Sequence, residues 1–200
     1  MFNSKPTRGF GLLENFLARK RAKIADKLIP KHLRKGRILD IGCGVNPFFL
    51  LNTKFNEKYG MDFSLKTTKC GENIILKSLD VEENEQLFPE GDFFDVIVML
   101  AVFEHINPHR LECVLKEVKR MLSDNGRFIL TTPCSWSKKL LKLMAKIGLI
   151  SKDEINDHKS NHSSYEIIEY LHHAGFDQKK IKLGHFEFFL NSWIYVDKSR

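Results

Sequence analysis

Polar and apolar positions along the chain change period repeatedly, and each change predicts an element. From about Gly11 to Ile29, Leu12, Leu13, Phe16, Leu17, Ile24, Leu28 and Ile29 fall largely at helical spacing, and Pro30 ends that helix. Ile38, Leu39 and Ile41 form a short apolar run stopped by Gly42, Cys43 and Gly44, which reads as a buried strand and a tight turn. A short helix around Pro47 to Leu51 leads to a strand at Lys58–Tyr59–Gly60–Met61–Asp62, and a further strand is predicted over roughly Asn73 to Leu79. The longest apolar run, Phe93 to Phe103, has the β-branched centre of a strand covered on both faces. Asn107–Pro108 then opens a helix in which Leu111, Val114, Leu115, Val118, Met121 and Leu122 recur at three and four. Ser123 to Gly126 reads as a turn and Arg127 to Thr132 as the next strand.

Beyond that strand, Leu140, Leu141, Leu143, Met144 and Ile147 predict a helix ended by Gly148, and Ser164 to Ala174 another ended by Gly175. Strands are predicted around Lys179 to Leu183 and over Phe186 to Val196, the last closing the sheet in antiparallel sense. Strand and helix thus alternate from Arg37 on, which predicts an open, mostly parallel α/β sheet. Its ligand site should lie along the carboxyl ends of the strands.

Candidate chemistry gathers on that edge. The glycine turn lets a ligand approach the backbone, and the N–H groups opening the next helix suit a carboxylate or phosphate. Asp40 stands at the end of its strand beside the turn. Asp62 follows twenty-two residues later, the distance at which a βαβ unit presents a carboxylate to ribose hydroxyls. Asp80 closes the third strand, while Glu82, Glu83, Glu85 and Glu90 after it read mostly as a solvated face. A dinucleotide fingerprint would need glycine where Pro47 stands.

Together, Asp40, Gly42, Cys43 and Gly44 resemble the first signature of class I S-adenosylmethionine-dependent methyltransferases, D/E-x-G-x-G-x-G. Asn46 replaces the last glycine, and asparagine tolerates a left-handed backbone there. The phrase FDVIVMLAVFEHI resembles the fourth signature of the small-molecule group near ubiquinone and menaquinone biosynthesis, and LKEVKRMLSDNGRFILTTP resembles the stretch that follows it. The resemblance covers 36–132 by signature. It implies a Rossmann-like, seven-stranded sheet with the last strand reversed and helices on both faces. It also implies S-adenosylmethionine as cofactor and S-adenosylhomocysteine as product. In that frame Asp40, Gly42, Cys43 and Gly44 line the cofactor. Asp62 and Phe63 take the ribose side, Leu79, Asp80 and Val81 the adenine, and Leu100 the sulfonium. His105 is the candidate general base, with a packing or capping histidine as the alternative.

The segment 135–174 lies where such enzymes build acceptor specificity, which makes Cys134, Trp136, His158 and His162 candidate acceptor contacts. His158 and His162 have metal-ligand spacing but no third ligand, so no metal is assigned. Pro133–Cys134–Ser135 is close to the cysteine context of RNA cytosine-C5 methyltransferases, but the cysteine is displaced and its partner Pro-Cys is absent. The acceptor implied by the resemblance is a small molecule, lipid-linked or glycan precursor, with oxygen as the first guess for the atom. An RNA methyltransferase and a non-catalytic binding module of the same fold stay open; DNA is not expected.

Composition alters one part of this picture. Residues 1–37 hold eleven Lys/Arg against two Asp/Glu, whereas the other 163 hold twenty-one against twenty-three, so the formal charge of +7 belongs to the amino-terminal segment. That segment, 1–35, reads as a basic arm and lid helix ahead of a methyltransferase domain over 36–200. Its cationic face is either simply solvated or a contact for an anionic membrane surface or an acidic partner. The amino terminus lacks the apolar core of a signal peptide. The four cysteines show no C-x-x-C spacing and read as reduced thiols, so a cytoplasmic location is expected.

Overall fold

The computed structural model describes residues 14–68, 70–71, 73–89, 91, 93–137, 146, 159, 162–187 and 190–199. The arm over residues 1–10, the predicted helix over 140–147 apart from residue 146, and His158 lie outside them. Seven strands form one sheet: β1 (Arg37–Ile41), β2 (Glu57–Met61), β3 (Ile74–Lys77), β4 (Phe94–Leu100), β5 (Leu122–Pro133), β6 (Ile181–Phe186) and β7 (Asn191–Asp197). The spatial order is β3-β2-β1-β4-β5-β7-β6. Strands β1 to β5 pair in parallel, and β7 runs antiparallel between β5 and β6.

Side-chain alternation along each strand serves two cores. On one face Ile38, Val96, Val98 and Ile129 pack with Ala22 and Ala25 of helix α1 (Glu14–Leu28), with Ile29 just after it, and with Phe48, Phe49 and Leu50 of α2 (Phe48–Asn52). On the other, Leu39, Ile41, Ile97, Met99, Phe128 and Leu130 meet α3 (Pro108–Met121) and α4 (Ser164–His173). This explains why β1 and β4 are apolar at nearly every position: neither face reaches water. Helix α3 starts where Asn107 accepts from the His109 N–H, and α4 starts at a reciprocal Ser163–Glu166 capping box.

Three expectations are corrected. Among the described residues, strand–helix alternation fails between β2 and β3 and between β3 and β4, where the chain crosses as irregular loops. The second loop is held instead by α3: Glu117 accepts from the Leu87 N–H at 2.8 Å, and Arg120 donates to the Phe88 carbonyl at 2.6 Å. Two buried side chains, Leu87 and Phe88, stand in for a helix face. Second, the turn at Ser123–Gly126 lies inside β5 as an irregularity in register between Phe94↔Leu122 and Val96↔Arg127, with Asn125 left-handed at φ 61. Third, β7 begins later than the alternation suggests, because Glu187, at φ 53, turns the chain between β6 and β7.

Candidate active site

Strand β1 ends between β2 and β4, so its glycine turn is clamped on both sides. The N–H groups of Gly42 and Cys43 both donate to the Met61 carbonyl, at 2.8 and 3.1 Å, stitching the turn over the end of β2. Gly42 has φ 75 and Gly44 φ 69. At Gly42 a Cβ would lie 2.2 Å from Val102 Cγ2, so glycine is required there by packing. At Gly44 a Cβ would meet nothing within 4 Å, so the backbone faces open space. Asn46, expected to tolerate a left-handed backbone, does not adopt one: the non-glycine residues that do are Ala101, Asn125 and Glu187 among those described. Helix α2 is only five residues long, so the favourable field expected at its amino end is small.

Asp62 is tied directly to this turn. Its Oδ2 accepts the Gly44 N–H at 2.9 Å, while Oδ1 accepts from the Ser64 N–H at 2.9 Å and from the Ser64 hydroxyl. Its main-chain carbonyl receives the N–H of Leu79, which brings the ends of β2 and β3 together. Asp40 is buried under the turn, and burial pushes its carboxyl well above the usual range, with the negative charge of Asp62 adding to the rise. Burial likewise raises the Cys43 thiol, helped by Asp40 and then Asp62, so Cys43 stays protonated. A carboxylate at Asp62 beside an open glycine turn suits a hydroxyl-bearing ligand.

Around them stand the other cofactor candidates. Phe63 is 67% exposed, while Leu79 and Val81 are half-buried against the core. Asp80 Oδ1 accepts from the Glu82 N–H at 2.8 Å, capping its own turn. Glu82 is not the solvated acid its surroundings suggest: it is half-buried and accepts from Lys159 and the Asn107 N–H. Burial would raise its carboxyl, but those two donors and the charges of Lys159 and Arg110 hold it below the usual value.

Leu100 ends β4, and the chain then passes through left-handed Ala101 into a 3-10 turn at Phe103–His105. His105 is half-buried in that turn. Its neighbour Glu104 is the residue sequence reasoning missed. Only 4% exposed, it accepts from Thr132 Oγ1 at 3.1 Å, and its carbonyl receives the Lys159 N–H at 3.0 Å. An acid directly after the longest apolar run was the available signal; its burial depends on β5.

Among the acceptor candidates, Trp136 is 58% exposed just beyond β5. Cys134 is buried, its Sγ 3.0 Å from Ser192 Oγ and 3.7 Å from His185 Nδ1, so it joins β5 to the β6–β7 pair. His162 packs edge-on against Phe103 and Tyr170, and its Nε2 is shut off from water with no hydrogen-bond partner among the described residues. Burial lowers its pKa, against the opposing pull of Glu166, so it is neutral at pH 7.

The comparisons agree with this architecture. The uncharacterized protein MJ1252 of Methanocaldococcus jannaschii is 34% identical over 107 residues, which are 52% of this chain but 40% of that protein's length. An S-adenosylmethionine-dependent methyltransferase from Listeria monocytogenes superposes with a TM-score of 0.66 at 16% identity, covering 92% of this chain and all of that one. A chain of the complex between the Haloferax volcanii Trm112 methyltransferase activator and a methyltransferase gives 0.69 at 13% identity, covering 90% and 89%. Both show the Rossmann-like methyltransferase fold. The family model described as a methyltransferase domain matches residues 13–180, and the chain belongs to that family.

Proposed function

We propose that this chain is an S-adenosylmethionine-dependent methyltransferase whose acceptor is a small molecule, a lipid-linked compound or a glycan precursor. The observation that carries the reading is the pairing of Asp40 and Asp62 around the left-handed Gly42–Gly44 turn at the carboxyl edge of β1 and β2. The Asp40 carboxyl lies buried beneath the turn, while Asp62 presents its carboxylate at the open turn, which fits the ribose hydroxyls of S-adenosylmethionine. Open space over Gly44 leaves room for it.

In this reading Asp62 trades its bond from the Gly44 N–H for ribose hydroxyls, Phe63 and the Leu79–Asp80–Val81 segment flank the adenine, and Leu100 lies beside the reacting centre. S-adenosylmethionine supplies an electrophilic methyl group, so the protein's task is to hold an acceptor in line and take its proton. His105 is our candidate for that proton, and oxygen our first assignment for the acceptor atom. Trp136, His162, Cys134 and His158 are assigned to the acceptor side. The test is calorimetric binding of S-adenosylmethionine and S-adenosylhomocysteine to the wild type and to Asp62→Ala, with circular dichroism to confirm that the variant folds. Micromolar binding weakened at least ten-fold in the variant supports the reading. A folded wild type that binds neither compound would sink it.

A further inference from the structure

Exposed aromatic side chains are unevenly placed on this molecule. Of the five among the described residues, Phe16 (52% exposed), Phe63, Trp136 and Tyr165 (69%) lie toward the carboxyl edge of the sheet, and Phe93 alone at the amino edge. Contacts fix these positions. Arg19, one turn from Phe16, stands over the ring of Phe48 just past the glycine turn, whereas Leu28 at the other end of α1 receives Arg127 near the start of the parallel part of β5. Tyr165 sits in the first turn of α4, next to His162 on Phe103. Phe63 belongs to the cofactor side. Phe16 and Tyr165 belong to helices on opposite faces of the sheet, and Trp136 follows the end of β5.

Cations accompany them. Phe16, Arg19, Lys20, Lys23 and Lys27 are the exposed positions of α1 at successive turns, and Lys20 Nζ lies 5.3 Å from the Phe16 ring centroid. The opposite stripe, Ala22, Ala25 and Ile29, is spent on the core, so the cationic stripe is the outward face. Asp26 is held by Arg34 and Thr53 rather than by this stripe, while the half-buried Glu187 is an acidic neighbour of Arg21 and Lys20. Lys31 and Lys35 extend the charge beyond the helix, and after Trp136 the sequence adds Lys138, Lys139, Lys142 and Lys146 with no acid before Ile150.

We infer that the corner of the molecule where α1 meets the carboxyl end of β5 docks on an anionic lipid surface, with Phe16 and Trp136 at the interfacial level and Arg19, Lys20 and Lys23 against the headgroups. Aromatic rings with one wet side and cations beside them are the pair of features that adsorbs a protein to such a surface. Nucleic acid fits less well: the cations lie on the outer stripe of a helix, not in a groove tracking a backbone. No helix among the described residues is long and apolar enough to cross a membrane, and the contact proposed is a peripheral one. The inference does not rest on the cofactor assignment, and the two can fail separately.

The test is co-sedimentation of the full chain with vesicles of phosphatidylcholine alone and of phosphatidylcholine with about one-third phosphatidylglycerol. Binding to the anionic vesicles only, weakened roughly thirty-fold in Lys20→Gln/Lys23→Gln and reduced at high salt, supports the inference; two cations near such a surface contribute on that order. A blue shift in tryptophan emission on binding should vanish in Trp136→Phe, which leaves Trp193 in place. No sedimentation with either vesicle, or binding indifferent to Lys20 and Lys23, overturns it. Retention of a single-stranded RNA oligomer by the α1 face without vesicle binding also overturns it and assigns the stripe to nucleic acid.

Discussion

Single positions in the glycine turn have separable jobs. Gly42 and Gly44 share a left-handed backbone, yet only Gly42 is packed against a neighbour. Gly44→Ala should therefore cost about 1–2 kcal/mol from conformation alone. Gly42→Ala adds a clash with Val102 and should cost about 2–5 kcal/mol, read from urea midpoints at unchanged slope. Asp40 gives a pH signature. Its folded pKa is raised by burial, so between the unfolded value of about 3.9 and that raised value the native state keeps a proton the unfolded chain has lost. Stability due to this group falls as pH rises through that window. Asp40→Asn should flatten the fall and raise the melting temperature at pH 7 while weakening binding of S-adenosylmethionine. An unchanged pH profile would remove Asp40 as its source. The placement of Asp40, Gly42, Gly44 and Asp62 along one edge was legible from spacing because a βαβ turn confines such residues there. The bond from Gly44 to Asp62 was not, since it joins two strand ends eighteen residues apart.

At the scale of elements, α3 acts on the site through its buried Glu117. That carboxylate accepts from the Leu87 N–H and from Arg120 Nε and Nη2, so it fastens the loop carrying Asp80 to the helix. Burial would raise its pKa, but Arg120 and the loop N–H groups hold it below the ordinary value. Its stabilising contribution is present above the usual carboxylate range and is lost as pH falls. Glu117→Ala leaves the Leu87 N–H unpaired and should cost about 2–4 kcal/mol, with hydrogen exchange rising first at Leu87 and Phe88. Exchange unchanged in that loop would show that something else holds it. The apolar period of α3 was plain in the sequence. Glu117 on its buried side broke the pattern, and its meaning depended on a loop thirty residues earlier.

For the whole molecule, the two cores depend on both ends of the chain. Ala22 and Ala25 of α1, with Ile29 just beyond it, cover Ile38, Val96 and Ile129, and Arg127 holds Leu28 while pairing with Asp197 of β7. Removing residues 1–28 uncovers that face and should abolish the cooperative thermal transition seen in the full chain; a sharp transition in the shortened protein would refute this account. The amino-acid sequence alone determined the strand-and-helix order of most of the sheet, the glycine turn and the acids at the strand ends, because each is a short-range pattern of period, turn chemistry or spacing. Tertiary structure alone decided that Glu82 and Glu104 are held by partners rather than solvated and that Cys134 joins Ser192 and His185. It also decided that the exposed aromatics gather at one edge beside a cationic helix. Those outcomes depend on which distant segments meet, and a carboxylate or a ring has no fixed environment until they do.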